Sequence, residues 1–142
     1  MEPDRIFDEC LENTVHKETQ VDERGVHLTV SEIGKIHRHG DVDFGGSEMK
    51  SASTHAVEAL EHQPGDQYGW WRLPAGRYLV KFNEVIKEGS PAMLLVSNDR
   101  LLATGCTLAS AVVGPGEVQS VLDVPDCGTR IKENARIALL MG

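Results

Sequence analysis

The chain has no long apolar run, few cysteines and fewer cations than anions, and each shortage removes a class of function. No stretch approaches the roughly 20 consecutive apolar residues of a membrane-spanning helix. The opening Met1-Glu2-Pro3-Asp4 carries no basic segment followed by an apolar one, so a cytoplasmic protein without a membrane partner is expected. Cys10, Cys106 and Cys127 are odd in number and widely spaced, with no C-x-x-C pair. That excludes a disulfide framework or zinc knuckle and leaves reduced, structural thiols. The 14 Lys and Arg stand against 22 Asp and Glu, a formal charge of −8. A broad phosphate-neutralising surface, and with it sequence-independent binding to nucleic acid, is not expected. A local nucleotide pocket is compatible with this balance.

At 142 residues the chain fits one domain with a core of its own. Residues 1–19 are charged and weakly periodic and read as an N-terminal arm, with Ile6, Phe7, Cys10 and Leu11 forming one short amphipathic turn or helix. From Val26 to Ile36 the alternation of Val26, Leu28 and Val30 with polar residues predicts a half-buried strand opened by Gly25. Residues 40–64 hold Gly45-Gly46 and little apolar content, and read as a long loop containing at most a short helix or strand. After Trp70-Trp71, short apolar runs alternate with turn residues such as Pro74-Ala75-Gly76 and Gly114-Pro115-Gly116. Strands recurring every roughly 8–12 residues predict an all-β sandwich or barrel with little helix.

Five segments carry a resemblance, in order along residues 20–142. Leu73-Pro74-Ala75-Gly76-Arg77-Tyr78 through Ile86 looks like the strand pair entering the central motifs of the dUTPase and dCTP deaminase superfamily, particularly its archaeal branch. Leu101-Leu102-Ala103-Thr104-Gly105 resembles the tail of that family's Arg-Ser-Ser-Leu-x-x-x-Gly motif. Ser110 to Gly116 is similar to the stretch ending Asp-Pro-Gly, and Asn134-Ala135-Arg136-Ile137-Ala138 resembles Gly-Ala-Arg-Ile-Ala. Gln20 to Val30 looks like the first strand, usually Gly-Val-Asp-Leu-Thr-Val. The resemblance implies a distorted jelly-roll β-barrel over residues 20–142 that assembles as a homotrimer. It also implies a deoxynucleoside triphosphate substrate and Mg2+ as cofactor, at sites near subunit boundaries. A triphosphate needs cations and hydrogen-bond donors because its charge is costly to desolvate without them. A carboxylate then orients the attacking water, while the metal stabilises charge on the phosphoryl oxygens.

Within this alignment the chain departs from the pattern. Asn98, Asp99 and Arg100 stand where the family has Arg, Ser and Ser, so two hydroxyls are gone and an acid has arrived. Read as a strand, Arg100 would keep the face of the lost Arg with its head group displaced by roughly 6.5 Å. Gly114 stands in place of the Asp, Glu117 in place of the aromatic residue that often follows, and His27 in place of the first motif's Asp. No Gly-rich arm follows the last motif before Gly142, whereas in stand-alone dUTPases such an arm closes over the phosphates. The resemblance then assigns Asp99, Glu117 and Asp123 as catalytic carboxylates. Asn98, Arg100, Gly105, Gly116 and Arg136 are its phosphate or nucleotide contacts, although Gly105 and Gly116 are most simply turn formers. The reaction implied is hydrolysis of dUTP to dUMP and pyrophosphate. Two alternatives are a catalytically inactive trimer that senses nucleotides or binds a protein through the 40–64 loop, and a dCTP deaminase. The deaminase requires Glu in the strand that here reads Leu122-Asp123-Val124.

Two further constellations stand apart from the resemblance. His37, His39, Asp41 and Asp43 alternate, so an extended backbone would project all four to one face, where they could hold a divalent metal such as Zn2+. The bland reading is a solvated loop. Trp70-Trp71 with Tyr68 could stack on a base, though such a pair more often anchors a core or an interface.

Overall fold

The structure, a computed structural model, describes residues 1–142. Eleven strands dominate: β1 (Leu11–Glu12), β2 (Val26–Arg38), β3 (Ser53–Ala56), β4 (Trp70–Leu73), β5 (Gly76–Ile86), β6 (Met93–Ser97), β7 (Thr107–Leu108), β8 (Ala111–Val113), β9 (Gly116–Val124), β10 (Thr129–Lys132) and β11 (Arg136–Met141). Helix is confined to α1 (Pro3–Arg5), a π-helical turn over Ile6–Cys10, α2 (Lys17–Gln20) and α3 (Asp99–Leu102). The all-β expectation is met.

Nine strands form one antiparallel sheet whose main path runs β7-β9-β5-β2-β11-β6-β8, and β4 and β10 pair separately. The large sheet curls into a barrel, because β7 at one edge reaches back to β6. Ser97 Oγ accepts the Leu108 N–H at 2.7 Å and donates to the Leu108 carbonyl at 3.3 Å. Alternation builds the interior: Tyr78, Val80, Phe82 and Ile86 of β5 face inward with Val118, Leu122 and Val124 of β9.

Strand β2 is buried on both faces over Val26–Val30, not on one as its alternation suggests. Val26, Leu28 and Val30 enter the core, while His27 and Thr29 are covered by polar partners from Gln20, Asn98 and Glu84. The segment read as an arm is folded onto the barrel. Ile6, Cys10 and Leu11 belong to the core cluster, and β1 pairs with β5 through Leu11 and Ile86.

The 40–64 stretch is a long connection, as expected, with β3 its one strand and short bridges at Asp41–Lys50 and Leu60–Trp70. Trp71 is in the core and donates Nε1–H to the Val57 carbonyl.

Residues 98–105 form α3 and its caps rather than a strand. Asn98 accepts the Leu101 N–H as N-cap, and Gly105 leaves the helix at φ +82°. The even-spacing argument for Arg100 therefore does not hold, since two residues along a helix turn the side chain to another face.

Candidate functional site

In the β4–β10 ribbon, Lys132 lies opposite Trp70 and Arg130 opposite Arg72. Strand periodicity sends Trp71, Leu73 and Ile131 into the core and leaves Trp70, Arg72, Arg130 and Lys132 on the outer face. Arg130 and Lys132 each lie 5.6 Å from the centre of the Trp70 ring, close enough for the ring's quadrupole to hold both cations.

Beside this face lies a cleft of about 360 Å³ between β10, the start of β11 and α3. Arg100, Arg130, Lys132 and Arg136 line it with Trp70, and Glu133 supplies its carboxylate. Four cations thus converge on one depression of a chain that carries −8 overall. Partial burial, and after it the charge of Arg100, hold the Arg136 guanidinium below its usual range. Arg136 Nη1 also donates to the Thr19 carbonyl at 2.9 Å. Burial and the charge of Arg100 thus disfavour the charged form of Arg136, and an anion in the cleft would offset that cost.

The turn into β11 explains how Arg136 is delivered. Asn134 has φ +66°, a left-handed conformation that Asn tolerates better than other side-chain-bearing residues. It stands where the family motif has Gly, so the turn survives the substitution. Asn83 Nδ2 donates to Asn134 Oδ1 at 2.7 Å and fastens it.

Of the expected site residues, two lie in this cleft. Arg100 and Arg136 line it. Asn98 is buried beneath it, with its amide fully engaged by protein groups. Asp99 is exposed at the first turn of α3, 3.5 Å from Arg24. Glu117 and Asp123 are exposed on β9, six residues and therefore roughly 20 Å apart; Asp123 lies 3.9 Å from Arg77. Gly105 and Gly116 occupy positive-φ turns. His37 stacks on His55 with centroids 3.8 Å apart, whereas His39 sits 3.5 Å from Asp41. Asp43 accepts the N–H groups of Gly46 and Glu48. No three His, Cys, Asp or Glu side chains converge to hold a metal, so the H-x-H-x-D-x-D alternation does not become a chelating face.

Sequence reasoning missed Arg130, Lys132 and Glu133. The alternation in Thr129-Arg130-Ile131-Lys132 was the available signal, since it puts both cations opposite the buried Ile131.

A second depression of about 500 Å³ beside β2, β3 and β5 shares Glu133. Its one cation, Lys81, lies 4.0 Å from Glu32, which makes it a poor anion site.

No described protein-family profile matches the chain. It is 36% identical over 136 residues to a protein of Methanosarcina mazei named probable deoxyuridine 5′-triphosphate nucleotidohydrolase, spanning 92% of this chain and 76% of that one. Proteins of the same name from Methanosarcina acetivorans and Archaeoglobus fulgidus are 38% and 28% identical over 136 and 137 residues, with the same shares covered.

Proposed function

Because the chain belongs to the dUTPase family, we propose that it hydrolyses dUTP to dUMP and pyrophosphate, with the triphosphate bound in the cleft of Arg100, Arg130, Lys132 and Arg136. The observation that carries this reading is the gathering of four cations in an otherwise acidic chain. A triphosphate brings several negative charges, and Arg forks match its oxygens with paired donors.

Water attacks phosphorus as the bond to the pyrophosphate oxygen breaks, and negative charge grows on the departing group. Fixed cations offset that charge without reorganising during the reaction. A carboxylate orients the water and takes its proton. Asp99, Glu117 and Asp123 are our assignments for this role. All three are exposed in the single subunit and so are open to a substrate held between copies.

Mg2+ fits this site as a partner of the nucleotide rather than of a protein cage. The cleft holds one carboxylate, Glu133, whose Oε1 accepts the Gly69 N–H at 2.7 Å, and this residue would hold the ion. Mg2+ on a nucleotide needs only one or two carboxylates besides phosphate and water. When bound it supplies charge stabilisation on the phosphoryl oxygens.

A homotrimer is part of this reading. Edge strand β8 leaves Val112 exposed opposite Leu94 of β6, an apolar pair that another copy would cover.

Pyrophosphate release from dUTP, dCTP and dTTP, each with and without Mg2+, tests the assignment. Mg2+-dependent release from dUTP alone is expected. Tight dUTP binding without turnover would leave a nucleotide sensor in place of an enzyme.

A further inference from the structure

A buried polar chain directly beneath the cleft is not used by the reaction as described. Asn98 Oδ1 accepts the Leu101 N–H at 2.9 Å, and Nδ2 donates to the Arg136 carbonyl at 3.0 Å. These two backbone partners fix the amide's orientation, because an N–H needs an acceptor and a carbonyl needs a donor. The same nitrogen lies 3.0 Å from His27 Nδ1, so Nδ1 must accept and carries no proton. His27 is then the neutral tautomer with its proton on Nε2, which donates to Asp22 Oδ2 at 2.7 Å. Asp22 in turn accepts the Arg24 N–H at 2.8 Å and a guanidinium N–H at 3.2 Å. The Arg24 guanidinium reaches Asp99 at 3.5 Å on its other side.

The ends of this chain matter most. Leu101 belongs to the helix that carries Arg100, and the Arg136 carbonyl belongs to the residue that supplies the facing guanidinium. One amide therefore ties together the backbones of two mutually repelling arginines. Misplacing such groups by about 1 Å can cost on the order of 10²-fold in rate.

Building on the nucleotide reading above, we propose that Asp22, His27 and Asn98 are positioning residues of the phosphate cleft, a hydrogen-bonded relay that sets the separation of Arg100 and Arg136. The departures at positions 27 and 98 are then a single exchange. Where the resembled pattern has Asp and Arg, this chain has His and Asn, and the two meet as a neutral pair.

Asp22 on one side and Asn98 on the other are the side chains facing the His27 ring, with Arg24 behind Asp22 and Gln20 on the His27 carbonyl. Asn98→Asp keeps the helix cap but makes neither donation.

The test compares wild type, Asn98→Asp, His27→Asp and the double variant H27D/N98R. Calorimetry gives Kd for inorganic tripolyphosphate, and steady-state assays give KM and kcat for dUTP. The two single substitutions should weaken tripolyphosphate binding and raise KM by about tenfold, the value of one well-placed hydrogen bond, with kcat changing less. In the double variant the arginine introduced at position 98 can donate to the aspartate introduced at position 27 and to the Arg136 carbonyl but cannot accept the Leu101 N–H, so it should recover part of the loss. Single variants with unchanged Kd, or a double variant no better than either, would overturn the relay. Nitrogen NMR of the His27 ring in wild type reads the tautomer without any ligand, and a proton on Nδ1 at neutral pH would overturn it independently. Thermal unfolding of each variant separates loss of fold from loss of position. Wild type that binds tripolyphosphate but neither binds nor turns over dUTP would remove the nucleotide reading and leave the relay standing. Wild type that binds neither would remove both.

Discussion

Replacing Arg136 with alanine should move ligand affinity and free-protein stability by very different amounts. In the free protein Arg136 makes one rim hydrogen bond, to the Thr19 carbonyl, worth about 0.5–1.5 kcal/mol. Against that stands its repulsion with Arg100, which the substitution relieves. These terms oppose, so unfolding free energy should change by no more than about 1 kcal/mol. With a triphosphate bound, the guanidinium instead makes charge-assisted hydrogen bonds worth about 1.5–3 kcal/mol, or roughly 10- to 150-fold in Kd. Titration calorimetry with a non-hydrolysable dUTP analogue and Mg2+, paired with urea unfolding of the unliganded protein, measures both. Added salt should narrow the affinity gap, because the rim of the cleft is open to solvent. Affinity within twofold of wild type would remove Arg136 from the phosphates. A stability loss above about 2 kcal/mol would make it a strut to Thr19 instead.

Glu84 is wholly buried and accepts from Thr29 N–H, Thr29 Oγ1–H and Gln20 Nε2–H, so Glu84→Ala leaves three buried donors unpaired. It should cost about 3–6 kcal/mol in urea unfolding, and a loss below about 1 kcal/mol would contradict the bonding described. Burial raises the Glu84 carboxyl above its ordinary 4.5 despite those donors. Its contribution is therefore full below pH 4.5 and is lost as pH rises through the raised value, so wild type should lead Glu84→Gln most at acidic pH. For Asp22, partial burial is outweighed by bonds from His27 and Arg24, which hold the carboxyl at about 2 against an ordinary 3.8. The stability this confers is present above pH 3.8 and disappears as pH falls towards 2. Wild type and Asp22→Asn should converge over that window, and parallel pH curves would count against the pairing.

Local patterning made β5 and β9 legible, because each must bury alternate residues and its sequence says which; it also located β2, but not the covering of both its faces over Val26–Val30. The positive-φ turns at Gly105 and Gly116 were equally local. Helix α3 was not read, although Asn98, three residues ahead of Leu101, is a typical N-cap; the short apolar run around Leu101 fits strand or helix equally. Docking of Ile6 and Leu11 depends on β5, some 75 residues away, and no local pattern reports such a contact. The cleft was half legible. Arg100 and Arg136 came from motif order, but Arg130 and Lys132 matter only because β10 pairs with β4 across nearly 60 residues. Glu84 reads as an ordinary polar residue, yet its even spacing from Phe82 and Ile86 puts it on the inward face, where only donors from other strands make it tolerable.

The position of β11 bears on how the chain acquires its fold. This last strand lies between β2 and β6 in the middle of the sheet. During synthesis β2 is made early and can pair with β3 and β5, but its Val26–Thr29 segment has no partner on the edge away from β5 until the residues around Arg136–Met141 emerge. The central seam of the barrel then closes over more than 100 residues of sequence, the kind of distant pairing that makes folding slow. An unfinished chain therefore exposes an apolar strand edge for most of its synthesis. Truncation within β11 should yield aggregates rather than a smaller folded barrel.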